Sequence, residues 1–270
     1  MAEEHPDTER PGREPRTGRE PPTAGGGHPI ARMLVIGVVA SAIGVGLVLL
    51  INWFPPAASS EAHSVDTLYD VTLGVAIPIF VLVMTVAIYS VVRFRARPGD
   101  TRDGAPIHGN ARLEVVWVAI PFLIVSALAA YSWIVLDNIE ARSGHPLEVG
   151  VRAQQFAWTF QYREPGGPPV ESNELVLPVG RQADFTVQSL DVIHSFFVPA
   201  FRIKQDAVPG IKTYTRTTPS RTGTFDIVCA ELCGAGHATM RQNVRVVPRA
   251  EFARWLAAQR KAGAAQGGAG

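Results

Sequence analysis

Cysteine is nearly absent from this 270-residue chain: there are two, Cys229 and Cys233. No C-x-x-C-H run exists, which excludes a fused haem c. Charge is sparse as well, with Asp, Glu, Lys and Arg at 18% against 47% hydrophobic residues. A net charge of +1 gives no pull towards nucleic acid. Residues 1–31 lack large apolar side chains almost entirely and are rich in Pro, Gly, Arg and Glu. They are expected to form a disordered tail, as is the closing stretch 261–270. No internal repeat is present.

The apolar excess sits in three runs. They are MLVIGVVASAIGVGLVLLINWF, LYDVTLGVAIPIFVLVMTVAIYSVV and LEVVWVAIPFLIVSALAAYSWIVL. Each reaches the roughly 20 residues a helix needs to cross a bilayer. Expected spans are 32–54, 66–94 and 111–138. The loop between the second and third carries Arg93, Arg95, Arg97, Arg102 and Arg112, while residues 55–67 carry no Lys or Arg. Arg16, Arg19 and Arg32 precede the first run. The positive-inside rule then puts the N-terminus and residues 93–112 inside and everything after 137 outside. The first run exceeds the roughly 7 to 15 apolar residues of a signal peptide. It is read as a signal-anchor or extra transmembrane helix, with cleavage near Ala57-Ala58-Ser59 as the alternative.

Residues 145–260 read as β-structure closed by one helix. Candidate strands are LEVGVRA, FAWTFQY, NELVLPV, ADFTVQS, IKTYTRT, GTFDIVC and QNVRVVP, several of them alternating and separated by turn residues. About seven short strands in so few residues suggest a sandwich or Greek-key barrel. RAEFARWLAAQR places Phe252, Trp255 and Leu256 on one helical face, ready to dock.

Both cysteines fall in CAELCGAGHATM, residues 229–240. A disulfide between them would close a tiny loop and leave His237 and Met240 unexplained. Zinc could take two Cys and two His but has no use for a thioether. Copper uses all of them: Cys233, His237 and Met240 match the blue-copper loop, and His194 in SLDVIHSFFVP can supply the second imidazole. Cys229 is then surplus, and two thiolates this close can bridge two copper ions.

CAELCGAGHATM resembles the C-x-E-x-C-G-x-x-H-x-x-M motif of subunit II of haem–copper cytochrome c oxidases. SLDVIHSFFVP followed by KQDAVPG, together with HGNARLEVVWVAIP and RFRARPGD, is similar to further segments of that family. The resemblance implies an α+β membrane protein: transmembrane helices, here two plus one extra, then an extracytoplasmic cupredoxin-like Greek-key barrel. It implies a binuclear copper (CuA) centre with Cys229 and Cys233 bridging, His194 and His237 each binding one metal, and Met240 and the Glu231 carbonyl as weak ligands. The Glu231 carboxylate would face a magnesium ion shared with subunit I.

The implied function is to accept electrons from cytochrome c, or another small donor, and pass them to the haem of subunit I. Oxygen reduction and proton pumping then lie in that subunit. Subunits I and III and the lipid bilayer are the implied partners, in a plasma or other energy-transducing membrane. Phe156 stands where many members have the tryptophan that receives the electron, with Trp158 nearby. Glu114, at the inner start of the third span, matches a proton-uptake glutamate, or else caps its helix. The alternatives are a nitric oxide reductase subunit of the same design and a copper carrier. Members often show an acidic docking surface, yet residues 147–261 hold fourteen Lys and Arg against ten Asp and Glu.

Overall fold

The computed structural model describes residues 30–95, 99, 109–165 and 167–267. Residues 1–29 and 268–270 of the two expected tails lie outside the described residues. Three helices, α1 (Ile30–Leu50), α2 (Ala62–Phe94) and α3 (Ala111–Ile139), are long and apolar enough to cross a membrane. α1 begins within the stretch expected to be disordered, because Ile30 and Ala31 already continue its apolar run. It also ends earlier than the expected 54. Pro55 and Pro56 cannot join a helix, and the residue before a proline is pushed out of the helical region. The Trp53 indole N–H folds back to donate to the Val48 carbonyl at 3.0 Å, satisfying an acceptor at the helix end.

The segment after α1 is threaded into the folded β-domain. Ala58 and Ser59 are buried. Ala58 N–H donates to the Ala200 carbonyl at 2.8 Å, and Ser220 N–H donates to the Ala58 carbonyl at 2.9 Å. Ser59 Oγ donates to the Phe201 carbonyl and accepts from Ala62 N–H, which starts α2 four residues before its expected limit. Arg202 grips Asp66 of α2 through both carboxylate oxygens, at 2.7 and 2.9 Å, with its guanidinium over the Phe54 ring. Arg142, just past α3, pairs with Asp184 at 2.7 Å. These ties fix the β-domain on the helix ends.

Ten strands follow. In chain order they are β1 (Leu147–Gln154), β2 (Ala157–Arg163), β3 (Val170–Ser172), β4 (Leu175–Pro178) and β5 (Ala183–Ser189). Then come β6 (His194–Val198), β7 (Ile203–Ala207), β8 (Thr213–Thr217), β9 (Gly223–Cys229) and β10 (Arg241–Val247). They form two five-stranded sheets, ordered β3-β2-β1-β5-β8 and β4-β10-β9-β6-β7. Burial alternates strictly along β5, whose inward residues include Phe185 and Val187. Phe196 of β6 meets Phe185 and Phe160 of the opposite sheet at 5.4 and 6.5 Å between ring centres, closing a β-sandwich around one core.

Three of these strands are additional to the seven expected. β6 does not alternate: His194, Ser195 and Phe196 are all buried. It lies between β7 and β9, and Ser195 on its other face is satisfied by the Asp206 carboxylate at 2.6 Å. β3 and β7 are too short or too mixed to show a period. β2 starts at Ala157 rather than Phe156, because Gln154 pairs with Ala157 and leaves Gln155 and Phe156 as a two-residue turn.

A last helix, α4 (Arg249–Gly267), buries Phe252 and Leu256, and Trp255 meets Tyr162 edge-on at 5.0 Å. Burial pushes the Tyr162 phenol well above its usual pKa, while its oxygen accepts from Val176 N–H at 2.7 Å. The helix runs past residue 260 into the stretch expected to be disordered. Ala262, Ala264, Ala265 and Gln266 are good helix formers, and Gly263 alone does not stop them.

Candidate metal centre

One end of the sandwich gathers the sulfur and imidazole groups. β6 starts with His194, and β9 ends with Cys229. Phe196 and Cys229 are register partners on these adjacent strands. The loop 230–240 then leaves β9 and returns to β10. Its two ends are pinned by backbone bonds, Ala230 N–H to Ser195 O at 3.0 Å and Cys229 N–H to Met240 O at 3.1 Å. His237 opens a short 3-10 turn within the loop. The ladder of the sheet therefore brings residues 194, 229 and 240 together, although 35 positions separate the first two.

The donor atoms converge. The two thiols lie 3.9 Å apart. His194 Nδ1 is 3.9 Å from Cys229 Sγ, and His237 Nδ1 is 3.6 Å from Cys233 Sγ. Met240 Sδ is 3.8 Å from Cys233 Sγ, and the Glu231 carbonyl is 3.3 Å from Cys229 Sγ. All six residues singled out as metal ligands thus meet here. His194, Cys229 and Cys233 hold ligand atoms within 4.8 Å of one another, and all three are buried.

A single tetrahedral zinc would be complete with two Cys and two His. This site adds a thioether on one side and a carbonyl on the other, and it places one imidazole beside each thiol. Such a donor set fits copper, for which soft sulfur and imidazole are preferred. Burial, then the neighbouring Cys229, pushes the Cys233 thiol up to about 11. Metal binding has to displace that proton.

Asp191 orients the imidazole of His194. Its Oδ1 lies 2.8 Å from His194 Nε2. With Nε2–H donated to the carboxylate, Nδ1 presents its lone pair towards Cys229. Asp191 also accepts from Gln155 N–H at 2.7 Å and from Val192 N–H at 2.7 Å. Burial alone would raise its pKa, but these hydrogen bonds outweigh burial and hold the carboxyl at about 2. Gln155 contributes again through Nε2, which donates to the Cys233 carbonyl at 2.6 Å. The spacing of Asp191 three residues before His194 is the one sequence signal that could have indicated this support.

The aromatic candidates separate by burial. Phe156 is 39% exposed and its ring lies against the metal loop: a Cβ added at Gly236 would come within 2.5 Å of it. Trp158 is buried, 6.2 Å from the His194 ring edge-on, so it walls the site from inside rather than facing a partner. Glu231 is exposed. Glu114 lies elsewhere, in the first turn of α3, where its carboxylate accepts from Asn110 N–H at 3.3 Å. Asn110 Oδ1 in turn accepts from Arg112 and Leu113 N–H, which makes a reciprocal helix cap.

The family model for the cytochrome c oxidase subunit II transmembrane domain matches residues 41–135, and that for the subunit II periplasmic domain matches residues 169–247. Cytochrome c oxidase subunit 2 of Synechocystis sp. is 32% identical, over 82% of this chain and 82% of its own length. The protein of the same name from Thermostichus vulcanus is 33% identical, over 82% and 83%. The solved periplasmic domain of subunit II of cytochrome oxidase (CoxB) of Bradyrhizobium japonicum is 32% identical, covering 45% of this chain and 96% of that one, with a TM-score of 0.42. The chain belongs to the cytochrome c oxidase subunit II family and is a membrane subunit of that enzyme, with a periplasmic domain.

Proposed function

We propose that this chain is the electron-accepting subunit of its oxidase, taking electrons from cytochrome c at a binuclear copper (CuA) centre and passing them to the haem of subunit I. One observation carries the reading: two thiols 3.9 Å apart, each with its own imidazole and its own weaker outer donor. A copper pair held here would supply one-electron transfer. Cys229 and Cys233 would hold the copper through their thiolates, together with the imidazoles of His194 and His237. Met240 and the Glu231 carbonyl would complete the donor set. The exposed Glu231 carboxylate would be free to face a magnesium ion shared with subunit I, the partner beside which subunit III would complete the complex.

His194 and Met240 are fully buried, and Cys229 and Cys233 nearly so, with 8% and 4% exposed. That burial favours a permanent centre over a carrier that hands copper on. Trp158 and Phe196 behind the ligands exclude water and hold the imidazole of His194 in place. The orientation follows the charge asymmetry of the loops, with the β-domain on the outer face of a plasma or other energy-transducing membrane.

The full chain in detergent, loaded with copper, tests the reading by metal analysis and electron paramagnetic resonance. Two coppers per chain with one unpaired electron shared by both nuclei is the expected result. A single-nucleus spectrum, or zinc bound in preference, would sink it.

Asp191 should matter to this centre without binding metal. Asp191→Ala is expected to weaken copper binding about 10–100-fold, the usual cost of losing the partner that orients a metal-bound histidine. Asp191→Asn, which can still accept from His194, should recover part of the loss. Competition against a copper chelator measures both, and equal affinity in all three proteins would rule the orienting role out.

A further inference from the structure

The side of the metal centre that carries Phe156 continues into the loop between β5 and β6, and this surface is apolar. Leu190 is 59% exposed, Ile193 46%, and Val192 and Phe156 39% each. Single exposed apolar side chains are ordinary, but a joined group over a redox site is not. Two bonds join the group: Leu190 N–H donates to the Ala153 carbonyl at 2.9 Å, and Gln155 N–H to Asp191 Oδ2 at 2.7 Å. Both links to the candidate histidine ligands are short. Ile193 immediately precedes His194, and the Phe156 ring rests on Gly236 beside His237.

Charge is missing from the same surface. Residues 154–157, 189–193 and 229–240 contain no Lys or Arg. Their two acids are Asp191, whose carboxylate is taken up by His194 and two backbone N–H groups, and Glu231. The domain as a whole is not acidic either, with fourteen basic against ten acidic residues over 147–261. A strongly basic donor would find no field to steer it and no carboxylate ring to pair with.

We infer that the electron donor docks on an uncharged apolar rim formed by Phe156, Leu190, Val192 and Ile193, and that it is a small redox protein whose own cofactor edge is ringed by apolar rather than lysine side chains. This rests on the electron-accepting role proposed above. Docking of this kind gains from water release at the contact and loses little in salt. Its encounter rate is set by diffusion and orientation rather than by long-range attraction.

The test uses the purified oxidase containing this chain and two reduced probes, a strongly basic mitochondrial cytochrome c and a near-neutral bacterial class I cytochrome c. Stopped flow follows their oxidation and the reduction of the copper signal. Ionic strength is varied from about 10 mM to about 0.3 M, over which the screening length shrinks from roughly 30 Å to well under 10 Å. The near-neutral probe is expected to react faster, with a second-order rate that changes less than about twofold over the range. Leu190→Glu should slow that probe about tenfold and give the basic probe a salt dependence it lacked, with the copper resonance unchanged.

A basic probe that is the faster one and slows tenfold or more with salt overturns the inference. So does a Leu190→Glu or Val192→Glu subunit that leaves both rates unchanged, or one that is lost from the assembled complex, since the rim would then be buried against another subunit. Copper that stays oxidised with either probe would remove the electron-accepting reading itself, a failure distinct from a charge-driven reaction at working copper.

Discussion

Cys233→Ser is expected to abolish the two-copper centre, leaving one copper or none per chain. Cys233 Sγ stands among three other donors: it has Cys229 Sγ at 3.9 Å, His237 Nδ1 at 3.6 Å and Met240 Sδ at 3.8 Å. Serine places a hard oxygen there, shorter in reach and far less willing to lose its proton than a thiol. It can neither bridge two coppers nor suit them in softness. Losing an outer partner of a ligand costs about 10–100-fold in metal affinity, so loss of a ligand shared by two metals should cost more than about 100-fold. Electron uptake by the assembled oxidase should fall at least as far. The fold should survive, since a buried Ser for Cys exchange costs about 1–3 kcal/mol at most if its hydroxyl stays unpaired. Copper content, the visible spectrum and the thermal midpoint of the metal-free protein separate the two effects. A Cys233→Ser chain that keeps two coppers and the shared resonance would show that the second thiol is not a bridge.

The cluster of sulfur and imidazole groups was legible in the sequence because most of it is local. Five of the six candidate residues fall within 229–240, and two Cys, a His and a Met so close together match the soft donors that copper prefers. The three apolar runs were equally legible, since a bilayer demands length and lack of charge and nothing subtler. What stayed hidden depends on partners far away in the chain. β6 has no period because both of its faces are covered, by the core and by Asp206, and a period of two appears only when one face meets water. Asp191 gains its contact with His194 only through the placement of β6. Ala58 and Ser59 looked like a spacer, or a cleavage site, but they are buried between residues 200–201 and 218–220. Likewise Trp158 and Phe156 are two positions apart and equally aromatic, and only the hairpin turn at Gln155-Phe156 decides which one faces out.

The largest stability loss is expected from Phe196→Ala. Phe196 is fully buried and meets three rings of the opposite sheet, at 5.6 Å from Trp158, 5.4 Å from Phe185 and 6.5 Å from Phe160. Removing a buried phenyl ring costs about 3–5 kcal/mol, part of it transfer and part the cavity left behind. The surroundings here have little room to collapse. β6 is held on one side by β9 and on the other by β7, and Trp158 is fixed against both Phe196 and His194. A domain of this size loses roughly 3–6 °C of thermal midpoint per kcal/mol, so the β-domain of the full chain should melt at least about 10 °C lower. Phe156→Ala, at a partly exposed ring, should shift the midpoint far less. The consequence reaches the metal because Phe196 pairs with Cys229 in the sheet and stands two residues from His194. A cavity there frees the Trp158 ring that walls His194, so copper should bind more weakly even at temperatures where the fold is intact. Near-ultraviolet dichroism of the full chain, with copper titration below the transition, reads both effects. A Phe196→Ala protein that melts within about 2 °C of the unaltered chain would mean the core tolerates the cavity, and that the metal loop is held by its backbone bonds to β6 and β9 rather than by the packing beneath it.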